Sequence, residues 1–232
     1  LMLISFFSIF FIYNLILFKN RDKNFFYEDY NLLLYVIILV LVFLIFFGYN
    51  NNFINIIFSI FSSISNIGIS LNSDFANLHF VFLILVIIGG SFFSTSSGLR
   101  FIKIYSLIIF SFNQILSFSK PRNIFMNRLL FSKTNFELNE INKYFLSIII
   151  FIISLFVLIS LMTFSGIDFE KCLKISILTL MNTVNSSAYG INDFNFQSID
   201  FFTKYCLILF MIVGRIELLT LLLIIKKYLC KN

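Results

Sequence analysis

Tryptophan is absent from this 232-residue chain, proline and histidine occur once each, and only 12% of the residues carry charge. Each scarcity excludes something. Cys172, Cys206 and Cys230 stand apart, in or beside apolar segments, at no spacing that suits a zinc site or a disulfide framework. The lone histidine, His79, has no Cys, Asp or Glu at ligand spacing, so it reads as a surface residue. The glycines near position 90 lack the Lys-Ser/Thr ending and the preceding strand of a nucleotide P-loop. The net charge of +6 is spread too thinly to argue for nucleic acid.

What is present is apolar, in long blocks. Hydrophobic residues make up 59% of the chain, 35 of them phenylalanine, and mean hydropathy is +0.98. This composition predicts an integral membrane protein. Phe, Ile, Leu and Asn are so abundant that a single Phe or Asn carries little weight. The first 18 residues lack both a basic start and a small-residue cleavage site. They read as the tail of a spanning helix whose beginning lies upstream.

In order, a polar link at 19–31 leads to an apolar run from Leu32 to Phe47 and a turn at 48–52. Residues 53–65 are helical in pattern but cover only roughly 20 Å, too little to cross a bilayer. A polar segment around Gly68 follows, and Leu78–Ile88 re-enters the apolar region. There IIGGSFFSTSSGLRFIK, residues 87–103, breaks the helix before Phe101–Phe118 resumes it. After a polar link at 119–143 the pattern returns: a span at Tyr144–Thr163, a short helix capped by Asp168, a polar segment at 183–193, and a last span at Phe201–Ile225 before the tail 226–232. The expected fold is an all-α integral membrane protein of helix–pore loop–helix repeats, at 32–118 and 144–225, potassium-channel-like, with re-entrant pore helices and one broken helix. Gly68 and Asn185 are 117 positions apart, and the flanking helices keep about that offset.

Basic residues orient the layout. The segments 19–31, 100–143 and the tail hold thirteen of the 17 Lys and Arg, and the opposite side holds only Lys171, Lys174 and Lys204. The positive-inside rule then puts the pore loops outside and the C-terminus in the cytoplasm.

The broken helix carries the functional argument. Irregular backbone at membrane depth survives only where protein covers it or water lines it. Two short helices entering from outside would aim their negative ends and unpaired carbonyls at one place, which favours a cation. Backbone carbonyls can replace a potassium ion's hydration shell. The bland alternative is a membrane protein with ordinary Ser/Asn-rich loops.

Arg215, roughly 20 Å along the last helix from Phe201, costs about 2.5–3.5 kcal/mol to insert unless it is partnered. Glu217, two residues on, faces elsewhere. The broken segment lies at about the same depth. Its carbonyls and the hydroxyls of Ser94, Thr95, Ser96 and Ser97 are therefore the expected partners, and snorkelling of Arg215 to the cytoplasmic headgroups is the alternative.

These residues resemble the Trk/Ktr/HKT superfamily of potassium transporters, and most closely its TrkH-type membrane subunit. GGSFFSTSSGLRFIK is similar to the GGxxGSTGGGIKxxR intramembrane loop, KPRNI to the following cytoplasmic link, and GRIELLTLLL to the GRLExxTLLxL of the last helix. The resemblance covers the third and fourth of four repeats and the end of the second. It implies filter segments at Asn66, Ile67, Gly68 and at Thr183, Val184, Asn185, whose backbone carbonyls hold K⁺ as the transported ion. It also implies a gate of Gly89, Gly90, Ser94, Thr95, Ser96, Ser97, Gly98 and Arg215. No catalysis and no bound cofactor are expected. The implied partners are the lipid bilayer, the N-terminal repeats, a second copy in a homodimer, and a TrkA-type cytoplasmic nucleotide-binding regulatory subunit; the implied location is a bacterial inner membrane. This chain departs from the pattern at Asn185, where glycine is usual unless the alignment shifts to Gly190. It departs also at Ser96 and Ser97, where glycines are usual, and at the bulky Phe92 and Phe93. A sodium or non-selective cation transporter, or a non-conducting scaffold, remains open.

Overall fold

A computed structural model describes residues 2–17, 27–47, 53–70, 78–119, 128, 136–184, 187–191, 194 and 196–216. The α-helices are α1 (Ile9–Leu17), α2 (Tyr27–Phe47), α3 (Phe53–Ile64), α4 (His79–Ile87), α5 (Phe101–Ser119), α6 (Leu138–Phe164), α7 (Phe169–Met181) and α8 (Phe201–Ile216). No strand is present among the described residues, and a parallel bridge joins Ile88 to Leu99. Among the described residues, three helices are long and apolar enough to cross a membrane: Tyr27–Phe46, Phe101–Ser119 and Leu138–Phe164.

The helices α3 and α7 are too short to cross a bilayer. α3 spans only about 18 Å. It buries Ile56, Ser59, Ile60, Ser63 and Ile64, the i, i+3, i+4 stripe of a helix with one protein-facing side. Its serines end it from within, because the hydroxyls of Ser63 and Ser65 donate to the Ser59 and Phe61 carbonyls at 2.7 Å and compete with the backbone ladder. α7 is covered on every side from Lys174 to Met181. α4 packs on both short helices, and α6 and α8 flank α7.

Where lipid replaces water outside, helices associate through close packing and small residues. Ser106, Ser147 and Ser154 lie buried on α5 and α6. Gly214 brings α8 onto the backbone of Leu180 at the end of α7, where a Cβ would strike the Leu180 carbonyl. The opposite faces, with Ile38, Leu41 and Ile45 on α2 and Phe112 and Ile115 on α5, are exposed and apolar, as lipid requires.

Several boundaries differ from expectation. The first 18 residues do not form one helix end: a 3-10 turn at Met2–Ser5 precedes α1. The break is made by Ser8, whose Oγ accepts the Phe11 N–H at 3.1 Å as an N-cap. α2 starts at Tyr27 rather than Leu32, since Glu28 and Asp29 in its first turn suit the positive end of the helix dipole. α6 starts at Leu138 rather than Tyr144, with Glu140 in its first turn for the same reason. Asp168 does occupy the N-cap position of α7 but makes no capping hydrogen bond; its carboxylate pairs instead with exposed Lys171 at 3.6 Å. The turn at 48–52, the link residues around KPRNI and everything after Ile216, Glu217 included, lie outside the described residues.

Candidate functional site

Both short helices end the same way. Asn66 follows α3 with φ 57° and Asn182 follows α7 with φ 52°, left-handed conformations that asparagine tolerates better than most residues. After each, the chain folds back on its helix: Asn66 and Ile67 donate to the Ser63 and Ser62 carbonyls, Asn182 and Thr183 to those of Thr179 and Leu178. This hydrogen-bond register repeats at an offset of 116 positions, from 66 to 182, one less than the 117 expected from Gly68 and Asn185. Asn185 itself lies outside the described residues.

The two segments meet. The Val184 N–H donates to the Ile67 carbonyl at 3.4 Å. Gly68, at φ 78°, sits so close to the Val184 backbone that a Cβ would overlap its carbonyl. Two side-chain oxygens here, Asn66 Oδ1 and Thr183 Oγ1, are buried without a hydrogen-bond donor. A cleft of about 440 Å³ runs past Thr179, Asn182, Thr183 and Val184 between α7 and α8.

The broken segment, residues 88–100, is closed at its neck. Gly89 donates to the Leu99 carbonyl at 2.8 Å, Leu99 to Ile87 at 3.1 Å, and Phe101 to Gly90 at 3.0 Å. Its body is held by its own polar groups. Ser96 Oγ accepts the Gly90 N–H and pairs with the Ser94 hydroxyl, each at 3.0 Å, and the Ser94 hydroxyl donates to the Ser91 carbonyl. Arg100 folds inward, its Nη1 reaching the carbonyls of Ser91 and Ser94 and the Ser94 hydroxyl at 3.0–3.2 Å. Thr95, Phe92 and Phe93 alone stand exposed within 89–97. Gly90 has no room for a side chain, since a Cβ would lie 2.5 Å from Ser96 Oγ.

Other elements also hold this loop. Ser97 faces the short helices: its carbonyl accepts the Asn66 Nδ2 amide at 2.6 Å, and its hydroxyl donates to the Met181 carbonyl at the end of α7. The N-terminal segment gives the Phe6 and Ser5 carbonyls to the Ser91 and Ser96 N–H groups. From α2, Glu28 accepts the Phe92 N–H at 3.0 Å, while Asp29 holds the N–H and hydroxyl of Ser8 at 2.9 and 2.5 Å. Arg215, on exposed α8 surface, donates to the Thr95 carbonyl at 3.3 Å. Arg215 therefore meets the loop. Arg100 and Lys103, counted above with the cytoplasmic charges, are in fact turned into the protein. Lys103 is 6% exposed and its ammonium reaches Ser147 Oγ at 3.2 Å beside a cavity of about 40 Å³ that Gly98, Met181 and Gly214 also line.

On the far side of the segments, the loop after α7 is fastened to the first repeat. Tyr189, fully buried, donates its hydroxyl to Ser63 Oγ on α3 at 3.3 Å. Burial pushes that hydroxyl up to about 12, so it stays a neutral donor. His79 is not a surface residue. It is half-buried, and its Nδ1 lies 2.7 Å from the Ala188 carbonyl, which can only accept, so the proton is on Nδ1. Lys174 is almost covered, and its ammonium is neutralised by Glu170 at 2.6 Å. The hydrogen bond and charge of Lys174 hold the Glu170 carboxyl below the usual range.

Of the residues expected at the site, Asn66, Ile67, Gly68, Thr183 and Val184 come together, and Gly89, Gly90 and Ser94 to Gly98 form one loop that touches both Asn66 and Arg215. Sequence reasoning missed Glu28, Asp29, Tyr189 and Asn182. The acidic pair next to an apolar run was the one visible signal among them.

No family description matches the sequence, and no curated relative does. Among solved structures the chain is similar to the potassium transporter TrkH from Vibrio parahaemolyticus, with a TM-score of 0.62 and 20% identity. The match covers 88% of this chain and 44% of that one, so the chain spans less than half the length of its structural neighbour. The fold is TrkH-like, and its architecture is that of a membrane protein.

Proposed function

We propose that this chain supplies two of the pore segments of a cation transporter, passing K⁺ through backbone carbonyls at 66–68 and 183–185 under the control of the loop at 89–98 and Arg215. One observation carries the reading: the segments that follow α3 and α7 meet at Ile67 and Val184, and in those segments Asn66 Oδ1 and Thr183 Oγ1 are buried without a hydrogen-bond partner. Helix C-termini and donor-free oxygens favour a cation and disfavour an anion. Nothing in this arrangement holds a nucleophile beside a base, so transport rather than catalysis is the activity proposed.

In this reading the loop is the barrier. It lies against both segments through Ser97, and Arg215 pins its exposed tip at Thr95. The likeness to TrkH extends the proposal to the missing repeats as the rest of the pore, a homodimer, a bacterial inner membrane with the C-terminus inside, and a TrkA-type nucleotide-binding regulator.

The test is potassium-dependent growth of an uptake-deficient bacterium expressing the transporter that carries this chain. Wild type restores growth and Gly68→Asp does not. No rescue by wild type, or full rescue by Gly68→Asp, would sink the proposal. Competition fluxes decide the ion, because equal inhibition of Rb⁺ uptake by Na⁺ and K⁺ would replace potassium selectivity with general cation conduction.

A further inference from the structure

We infer that Ser97 is a positioning residue that couples the loop to the filter, so that the loop cannot open without altering the filter's geometry. Its functional consequence rests on the conduction reading above. The coupling itself rests on hydrogen bonds.

Ser97 is 9% exposed and touches the ends of both short helices. Its carbonyl takes the amide of Asn66, the residue that turns α3 into the segment Ile67–Gly68. Its hydroxyl donates to Met181, the last residue of α7, directly before Asn182 and Thr183. The backbone around it has no slack. A Cβ on Gly89 would lie 2.7 Å from the Ser97 carbonyl, and one on Gly98 would lie 3.1 Å from Asn66 Nδ2.

The rest of the loop is bound to itself by Ser94, Ser96 and Arg100, so it moves as a body rather than unravelling. Withdrawing that body strands the Asn66 amide and the Met181 carbonyl, and unmade buried hydrogen bonds are costly. Both lost bonds belong to residues that set the filter backbone. By linkage, whatever stabilises the filter, an ion included, holds the loop, and whatever opens the loop loosens the filter. The hydroxyl is the separable part. A glycine or alanine at 97 keeps the carbonyl for Asn66 and loses only the tie to Met181.

The experiment uses the full transporter in proteoliposomes, comparing wild type with Ser97→Ala and Asn66→Gly, the latter keeping the left-handed backbone while removing the amide. Amide hydrogen exchange is read at 91–97 and at 182–184, and uptake of K⁺ against Na⁺ is measured alongside. Ser97→Ala should speed exchange in both segments together, by about five- to tenfold for one buried hydrogen bond, and lower the K⁺/Na⁺ uptake ratio. Asn66→Gly should do the same at 91–97 and 66–68. Faster exchange in the loop with 182–184 unchanged, or higher flux with the ratio unaltered, would overturn the coupling. Absence of flux from wild type would remove the conduction reading alone, because exchange still decides whether loop and filter open together.

Discussion

The two repeats begin alike and part at one place. In each, a short helix ends on a left-handed asparagine whose side-chain amide reaches across to a backbone carbonyl on the element that follows. Asn66 reaches Ser97 at 2.6 Å, and Asn182 reaches Met211 at 3.0 Å. In the second repeat that carbonyl belongs to α8, an unbroken helix through Ile216. In the first it belongs to a loop, because α4 stops at Ile87 and α5 does not begin until Phe101. The same anchor is thus attached once to an unbroken helix and once to an irregular loop. Under the gating proposed for this loop, support falls to the second repeat and control to the first.

The largest effect expected comes from two glycines with nearly the same backbone. Gly68 has φ 78° and Gly166 has φ 77°, but a Cβ on Gly68 would overlap the Val184 carbonyl while Gly166 has nothing within 4 Å. Both alanine variants carry the left-handed penalty of about 1–2 kcal/mol. Gly68→Ala should also push the two segments apart and lower uptake at least about tenfold, whereas Gly166→Ala should lower only the melting temperature in detergent. Equal losses of uptake would mean that strain rather than filter contact is being measured.

Next in size is the anchor itself. Replacing either asparagine by glycine keeps the turn and removes the amide, a loss of about 1 kcal/mol of hydrogen bonding. Asn66→Gly should change gating and selectivity, since its partner belongs to the movable loop; Asn182→Gly should change stability with uptake within about twofold. Reversed results would dissolve the distinction between the repeats. Arg215→Ala removes the donor at Thr95 and should raise basal flux several-fold, on the order of one charged hydrogen bond at an exposed position. Unchanged flux would favour snorkelling.

The short helices, the break at Gly89–Gly98 and the contact of Arg215 with it were legible in the sequence, because each depends on local pattern: a run too short to cross, glycines and hydroxyls inside an apolar block, a charge inside an apolar helix that needs polar partners. Most other pairings across the chain left no such trace. Tyr189 to Ser63 and Asn66 to Ser97 are separated by 126 and 31 positions, and nothing near either residue names its partner. His79 was misread for the same reason, since its acceptor lies 109 residues away. Asn182 was hidden by abundance, being one asparagine among many. The 116-residue register of the two capping turns shows only in backbone geometry.

The finest distinction lies at Glu28, a contact of the movable repeat. Its carboxylate accepts the Phe92 N–H at 3.0 Å, and Arg100 lies near enough to interact with its charge. Two variants separate these roles. Glu28→Gln keeps an oxygen for the Phe92 amide and discards the charge, while Glu28→Ala discards both. If the hydrogen bond holds the loop tip, Glu28→Gln should behave as wild type and Glu28→Ala should speed exchange of the Phe92 amide about three- to fivefold, the value of a partly exposed neutral bond. If the charge holds Arg100 in place, both variants should loosen the Ser91 and Ser94 carbonyl contacts and raise basal flux alike. The first outcome makes Glu28 a latch on the loop's outer edge. The second makes Arg100, inside the loop, the element that keeps it a single body, held in place by the charge of Glu28 on α2.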